Sequence, residues 1–75
     1  MEQLDTRHLL CPMPVIRTQD KVNNMQAGEQ LEVVCTDPGA LNDVPTWCRI
    51  NGHTVVATRE ENGEIFIQIK VGPHG

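Results

Sequence analysis

Apolar residues repeat along this chain with two different periods, and the switches between them outline the elements. In residues 64–71, Ile65, Ile67, Ile69 and Val71 alternate with Phe66, Gln68 and Lys70. That period of two predicts a strand with one buried face. Residues 30–36 repeat it, with Leu31, Val33 and Cys35 on one face and Glu32, Val34 and Thr36 on the other. Residues 53–59 form a third predicted strand. A turn at residues 60–63 joins it to the last, and its Asn62-Gly63 pair favours a tight hairpin. Residues 3–6 are a short further strand candidate. Around Val15, Ile16, Val22 and Met25 the spacing approaches a helical period. It predicts a helix over residues 12–26, stopped by Ala27-Gly28 with Gly28 as the left-handed terminator. A second helix falls within residues 40–51. A proline deep inside a helix costs about 3 kcal/mol, so Pro45 is expected in the first turn of a helix capped at Asp43, with Asn51-Gly52 closing it.

The resulting order is β-α-β-α-β-β. A right-handed crossover makes the first two strands parallel and places the first helix on one face of the sheet. With the second helix on the same face, the fold class is α/β, a two-layer α/β sandwich. At 75 residues the chain suits one small domain, residues 1–75, with residues 72–75 as a tail. One Trp, one Phe and no Tyr leave the core to Val, Ile and Leu. The sheet face bearing Phe66, Val34 and Val56 is a candidate exposed apolar surface for a partner or a second copy.

A formal net charge of −4, with the six Lys and Arg residues spread along the chain, argues against binding nucleic acid directly. Residues 1–5 lack a basic segment and an apolar stretch, and no apolar run reaches membrane-spanning length. The expectation is a cytoplasmic protein with no membrane partner. Three cysteines without a CxxC pair indicate neither a disulfide framework nor a zinc site. No metal and no cofactor are expected.

The chemistry concentrates at Cys11-Pro12-Met13-Pro14. If Cys11 is the N-cap, the two prolines remove first-turn donors, and the Met13 N–H remains, aimed back at the sulfur. A thiolate there is favoured by the helix dipole, so the Cys11 pKa is expected below the free value of about 8.5. His8 is either a base for this thiol or a solvated loop residue. Cys35 reads as core. Cys48 reads as helix packing or as a second thiol at a docking surface. Asp37 and Asp43 read as caps of a turn and a helix rather than as acid–base groups, and Asp43 is also a candidate for partner docking. Arg17 is a candidate for docking an acidic partner, or simply part of a solvated helix face. Trp47 is a candidate interface anchor, or the core's largest filler. Hydrolysis would need a Cys-His-Asn arrangement that is not evident, and dithiol cycling would need a resolving cysteine close by. A lone activated thiol instead suits holding a transferred sulfur as a persulfide.

These residues are similar to those of the TusA/SirA family of small sulfur carriers. The resemblance runs from Leu4 to Val71. It rests on Leu4-Asp5, on Leu10-Cys11-Pro12-Met13-Pro14 with Arg17, and on Met25-Gln26-Ala27-Gly28-Glu29. It continues through the stretch from Asp37-Pro38 to Asp43-Val44-Pro45 and Trp47-Cys48, and ends with Gly52-His53 and the final hairpin. The resemblance implies a mixed four-stranded sheet of order 1-2-4-3 with two helices on one face, like the C-terminal domain of a translation initiation factor. It also implies that Cys11 accepts persulfide sulfur from a cysteine desulfurase or rhodanese. Cys11 would pass that sulfur to an acceptor cysteine on a downstream relay protein, in tRNA thiolation, molybdenum-cofactor metabolism or sulfur oxidation. Two other classes stay open on the residues alone. One is a regulatory or RNA-associated binding module. The other is a redox sensor closing a Cys11–Cys48 or intermolecular disulfide.

Overall fold

The structure, a computed structural model, describes residues 1–73. Its elements are β1 (Glu2–Thr6), α1 (Met13–Val22), β2 (Gln30–Cys35), α2 (Ala40–Ile50), β3 (Thr54–Glu61) and β4 (Glu64–Lys70). The strands form one sheet of order β1-β2-β4-β3. β1 runs parallel to β2, and β4 is antiparallel to both β2 and β3. This is the expected element order and the sheet order that the family resemblance implies.

Register puts the alternating apolar residues onto one face. Leu31 pairs with Ile69, Val33 with Ile67, and Cys35 with Ile65. All six are buried, and Val22 of α1 and Ala40, Val44 and Cys48 of α2 close over them in one cluster. Both helices therefore cover the same face. The cluster draws its volume from aliphatic side chains, as a chain with two aromatics requires. Among the described residues no helix is long and apolar enough to cross a membrane.

Three expectations need correction. The helix after the thiol loop ends at Val22, four residues early. Met25 N–H donates to Val22 O at 2.9 Å, tightening the chain into a turn. Gly28 does adopt φ +92°, but beyond that turn, where its N–H donates to Val71 O at 2.8 Å. It docks the connection on the end of β4 instead of capping the helix.

The second helix begins at Ala40, not at Asp43, and contains Pro45. Its start is wound by Asp37, Pro38 and Gly39. Asp37 O accepts from Ala40 N–H at 3.0 Å, Pro38 O from Leu41 N–H at 3.2 Å, and Gly39 O from Asp43 N–H at 3.0 Å. Pro45 thus removes one hydrogen bond from a helix already nucleated upstream. The other end agrees with expectation. Asn51 is the C-cap, Gly52 takes φ +82°, and His53 N–H reaches back to Cys48 O at 2.8 Å, a Schellman closure.

The third correction concerns the helix-free face of the sheet, which is not a bare apolar surface. Val34 is only 3% exposed. Its partner Phe66 is half-buried beneath the Arg59 guanidinium, 3.9 Å from the ring centroid. Glu32 adds a polar cover, accepting from Gln3 Nε2 at 3.0 Å and pairing with Arg59 at 3.6 Å. Val56 alone stands out, at the register shift between Val55 and Ala57. The Asn62-Gly63 turn is as expected, at φ 52° and φ 80°, but it is tighter than the predicted 60–63, because β3 runs on to Glu61, which pairs with Glu64. Gly72, expected to open a tail, donates its N–H to His53 Nδ1 at 2.9 Å. The last two tail residues, 74 and 75, lie outside the described residues.

Candidate functional site

The loop from β1 to α1 is held at both ends. Thr6, fully buried at the end of β1, donates its hydroxyl to Val34 O at 2.7 Å. Arg7 turns back on Asp5 with its backbone N–H, its Nε and its Nη2, and reaches Glu64 at 3.0 Å. This chelation holds the Asp5 carboxyl down at about 2. His8 takes φ 66°, and its N–H donates to Thr36 Oγ1 at 2.9 Å. Its imidazole makes no hydrogen bond to Cys11 among the described residues, so the neighbouring-base reading gains no contact.

Cys11 follows, exposed. Its N–H donates to Asp37 Oδ2 at 2.9 Å, and its thiol donates to Asp43 Oδ2 at 3.0 Å. The other oxygen of Asp37 accepts from Gly39 N–H at 3.0 Å. One carboxylate thus shapes the turn before α2 and anchors the thiol's backbone. The second, six residues along, accepts the thiol's hydrogen bond and leaves the proton on sulfur.

The expected cap geometry is corrected. Pro12, not Cys11, is the N-cap of α1, and the cap carries no side-chain hydrogen bond. The Met13 N–H donates to Leu10 O at 2.8 Å and is not available to the sulfur. Pro14 is buried within the helix, where its carbonyl accepts from the Thr18 hydroxyl at 2.8 Å. The expected depression of the Cys11 pKa is also overturned. The thiol is pushed up, first by its hydrogen bond to Asp43, then by desolvation and by the negative charges of Asp43 and Asp37. A carboxylate accepting from S–H favours the neutral form and opposes a thiolate beside it.

Cys11 opens onto a groove between the helices, of about 350 Å³, lined by Pro12, Val15, Asp43, Thr46, Trp47 and Ile50. Asp43, Trp47 and Ile50 share one stripe of α2, spaced four and three residues apart. The core stripe Ala40, Val44 and Cys48 lies beside it. Trp47 is half-buried and stacks on His53, with ring centroids 5.2 Å apart. It thus serves both as groove wall and as packing against the core. Leu10 and Ile50, each 75% exposed, extend the apolar rim on either side of the sulfur. A much smaller cavity of about 30 Å³ lies by Arg59 and Phe66 on the other face of the sheet, and its lining includes no cysteine or histidine.

Among the sequence candidates, Cys11, Pro12, Asp43 and Trp47 come together. Arg17 does not, since it sits about 200° around α1 from Val15 and is absent from the groove lining. Cys48 as a docking thiol is corrected. It is completely buried, and burial raises its pKa to about 11. The core stripe of α2 points it inward. Cys35 is equally buried, as expected, with its thiol 3.7 Å from Ile65 O. Asp37's grip on the Cys11 amide was missed by sequence reasoning, as was the rim formed by Leu10 and Ile50. Among the described residues, no group of His, Cys, Asp and Glu side chains is placed to hold a metal ion.

A family profile described as Sulfurtransferase TusA matches residues 2–71. The chain belongs to the TusA family. It is 38% identical over 69 residues to the putative sulfur carrier protein YrkI of Bacillus subtilis, an alignment covering 92% of each chain. It is 33% identical over 69 residues to the sulfur carrier protein TusA of Allochromatium vinosum, covering 92% of this chain and 91% of that one. In backbone it superposes on a SirA-like protein from Desulfitobacterium hafniense with a TM-score of 0.83, covering 97% of this chain and 100% of the other. At 23% identity, that likeness speaks for the shared fold of this TusA-family chain.

Proposed function

We propose that this chain is a sulfur carrier whose cargo rides on Cys11 as a persulfide. One observation carries the reading. Of the three thiols, only Cys11 is exposed, and it stands at the mouth of an apolar groove wide enough to admit another protein's reactive sulfur. The family and the names of its relatives support the same role.

Loading is a transfer between sulfurs. Cys11 Sγ attacks the terminal sulfur of a donor persulfide, the donor S–S bond breaks, and the donor cysteine leaves as a thiolate. That thiolate takes up the proton given up by Cys11. The products are a donor thiol and Cys11–S–SH, with no net oxidation. Unloading repeats the exchange with an acceptor cysteine attacking the outer sulfur. The donor class is a cysteine desulfurase or rhodanese. The acceptor is a relay protein of tRNA thiolation or sulfur oxidation, in the cytoplasm. Complete burial of Cys35 and Cys48 weighs against a disulfide closing within the chain, and so against a redox sensor of that kind.

The test is intact-protein mass spectrometry after incubation with a cysteine desulfurase, its pyridoxal phosphate and cysteine. A reducible adduct of one sulfur is expected on the wild type and not on Cys11→Ser. An adduct that survives the substitution would overturn the assignment.

A further inference from the structure

The hydrogen bond between the Cys11 thiol and Asp43 bears on which partners can use this site. The 3.0 Å contact places a carboxylate directly against the atom that must become the nucleophile. Deprotonating Cys11 there sets two negative charges side by side, which is unfavourable. Among the described residues no ion pair relieves this. The described ion pairs use Asp5, Glu64, Glu2, Glu32 and Glu61, and none reaches Asp43. The nearest basic residues of α1 are committed or turned away: Lys21 pairs with Glu2 at 2.7 Å, and Arg17 is not in the groove lining. Yet Asp43 itself lines the groove, open to whatever enters it. The walls around it are apolar, so an occupant that displaces water strengthens charge interactions inside.

Building on the sulfur-carrier reading, we infer that Asp43 is a specificity-determining positioning residue: it holds the proton on Cys11 until a cation carried beside the incoming sulfur pairs with it. The partner so selected is a protein that presents a Lys or Arg next to its reactive cysteine, with apolar neighbours to meet Leu10, Trp47 and Ile50. Its cation takes the place of the thiol proton at Asp43. The released Cys11 sulfur attacks the outer sulfur of the donor persulfide, the donor S–S bond breaks, and the departing donor thiolate takes up the Cys11 proton. The chain's net charge of −4 favours the encounter with such a basic patch.

Two small disulfides of equal length test this without a persulfide. Cystamine carries an ammonium two carbons from each sulfur; bis(2-hydroxyethyl) disulfide is neutral. Rates of mixed-disulfide formation on Cys11 are followed by mass spectrometry at pH 7. Each is divided by the rate for an unstructured cysteine peptide, which removes the difference in leaving-group thiols. The wild type is expected to prefer cystamine by about fivefold after this correction, the factor that one ion pair supplies at water-like dielectric. The preference should fall toward unity in 0.5 M NaCl. Asp43→Asn should abolish it while speeding the reaction with the neutral disulfide. Asp20→Asn, which removes the same charge from an exposed position on α1, should leave it intact. A corrected wild-type ratio near one, or a preference retained in Asp43→Asn, overturns the inference. A corrected wild-type ratio near one overturns the inference even if Asp43→Asn fails to fold, and an unchanged ratio in Asp20→Asn separates Asp43 from the chain's overall charge. Failure here leaves persulfide loading untouched, whereas a missing sulfur adduct in the loading experiment overturns the carrier reading and not the charge preference.

Discussion

Gly72 is the most sterically constrained glycine among the described residues, and replacing it with alanine should damage the protein out of proportion to one methyl group. A Cβ built there falls 2.9 Å from the Gly52 carbonyl carbon, closer still to its oxygen, and 3.6 Å from His53 Cα. Those atoms are backbone, fixed by the Schellman closure of α2, so no side chain can rotate away. Relief must come from moving the chain after β4 off the α2–β3 connection. That movement breaks the Gly72 N–H bond to His53 Nδ1 and lifts Val71, which is 1% exposed. Overpacking costs about 1–3 kcal/mol, and the lost hydrogen bond adds about 1 kcal/mol. A total of about 2–4 kcal/mol is a large share of the roughly 4–11 kcal/mol that a chain this size commands. It should lower the melting temperature by about 10–25 °C. The single Trp47, stacked on His53, supplies the fluorescence probe for thermal and urea unfolding. Its native emission should also shift, since His53 loses the bond that orients it. Gly52→Ala is the internal comparison. It meets no atom within 4 Å but sits at φ +82°, a backbone cost of about 1–2 kcal/mol. If Gly72→Ala melts within about 3 °C of wild type, or is the milder of the two, the steric reasoning fails.

Asp5 should shape the acid limb of stability. Its folded carboxyl titrates at about 2 against an ordinary 3.8, so its contribution is present above that ordinary value and lost as pH falls through about 2. Asp5→Asn should flatten the fall in urea midpoint across that window. Asp37→Ala removes the acceptor of both the Cys11 and Gly39 amides; hydrogen exchange at those two amides should accelerate about tenfold, in line with a net bond strength of about 1–1.5 kcal/mol. Leu31→Ala deletes a fully buried side chain at the centre of the sheet and should cost about 3–5 kcal/mol in urea unfolding. Iodoacetamide labelling against pH should place the Cys11 midpoint above the free value of about 8.5. A midpoint at or below that value would remove the Asp43 account of the thiol.

The strands were legible because a period of two admits few alternatives when one face must be buried. Ile65, Ile67 and Ile69 declare their face in the sequence and keep it in the structure. Cys11 drew notice because Pro12 and Pro14 behind it mark the start of a helix. The start of α2 was not legible, and the error had consequences for the site. Penalising Pro45 moved the predicted cap to Asp43, which treated that carboxylate as part of the helix end. The actual start lies three residues earlier, because Asp37 and the turn it shapes nucleate the helix before Pro45 is reached. Only with that start does Asp43 stand one turn before Trp47 and two turns before Ile50, facing the thiol. Its meeting with Cys11 spans 32 residues, and no local pattern encodes it. Asp37's bond to the Cys11 amide spans 26 and was invisible for the same reason.

The correction changes what kind of thiol this is. A cysteine capping a helix would be a standing nucleophile, reactive toward any oxidant or small disulfide that reached it. Cys11 is exposed enough to be reached, and the protein holds no second accessible thiol to resolve an unwanted adduct. Exposure is therefore compatible with selective transfer only if reactivity is withheld by something other than burial. The 3.0 Å bond to Asp43 withholds it chemically, because each unit by which the thiol pKa rises lowers the thiolate fraction at neutral pH about tenfold. The bond to Asp37 meanwhile fixes the sulfur's backbone, so the restraint does not come at the expense of position. On the inference drawn above, a partner that covers the groove and brings its own cation would remove the first constraint and leave the second in place.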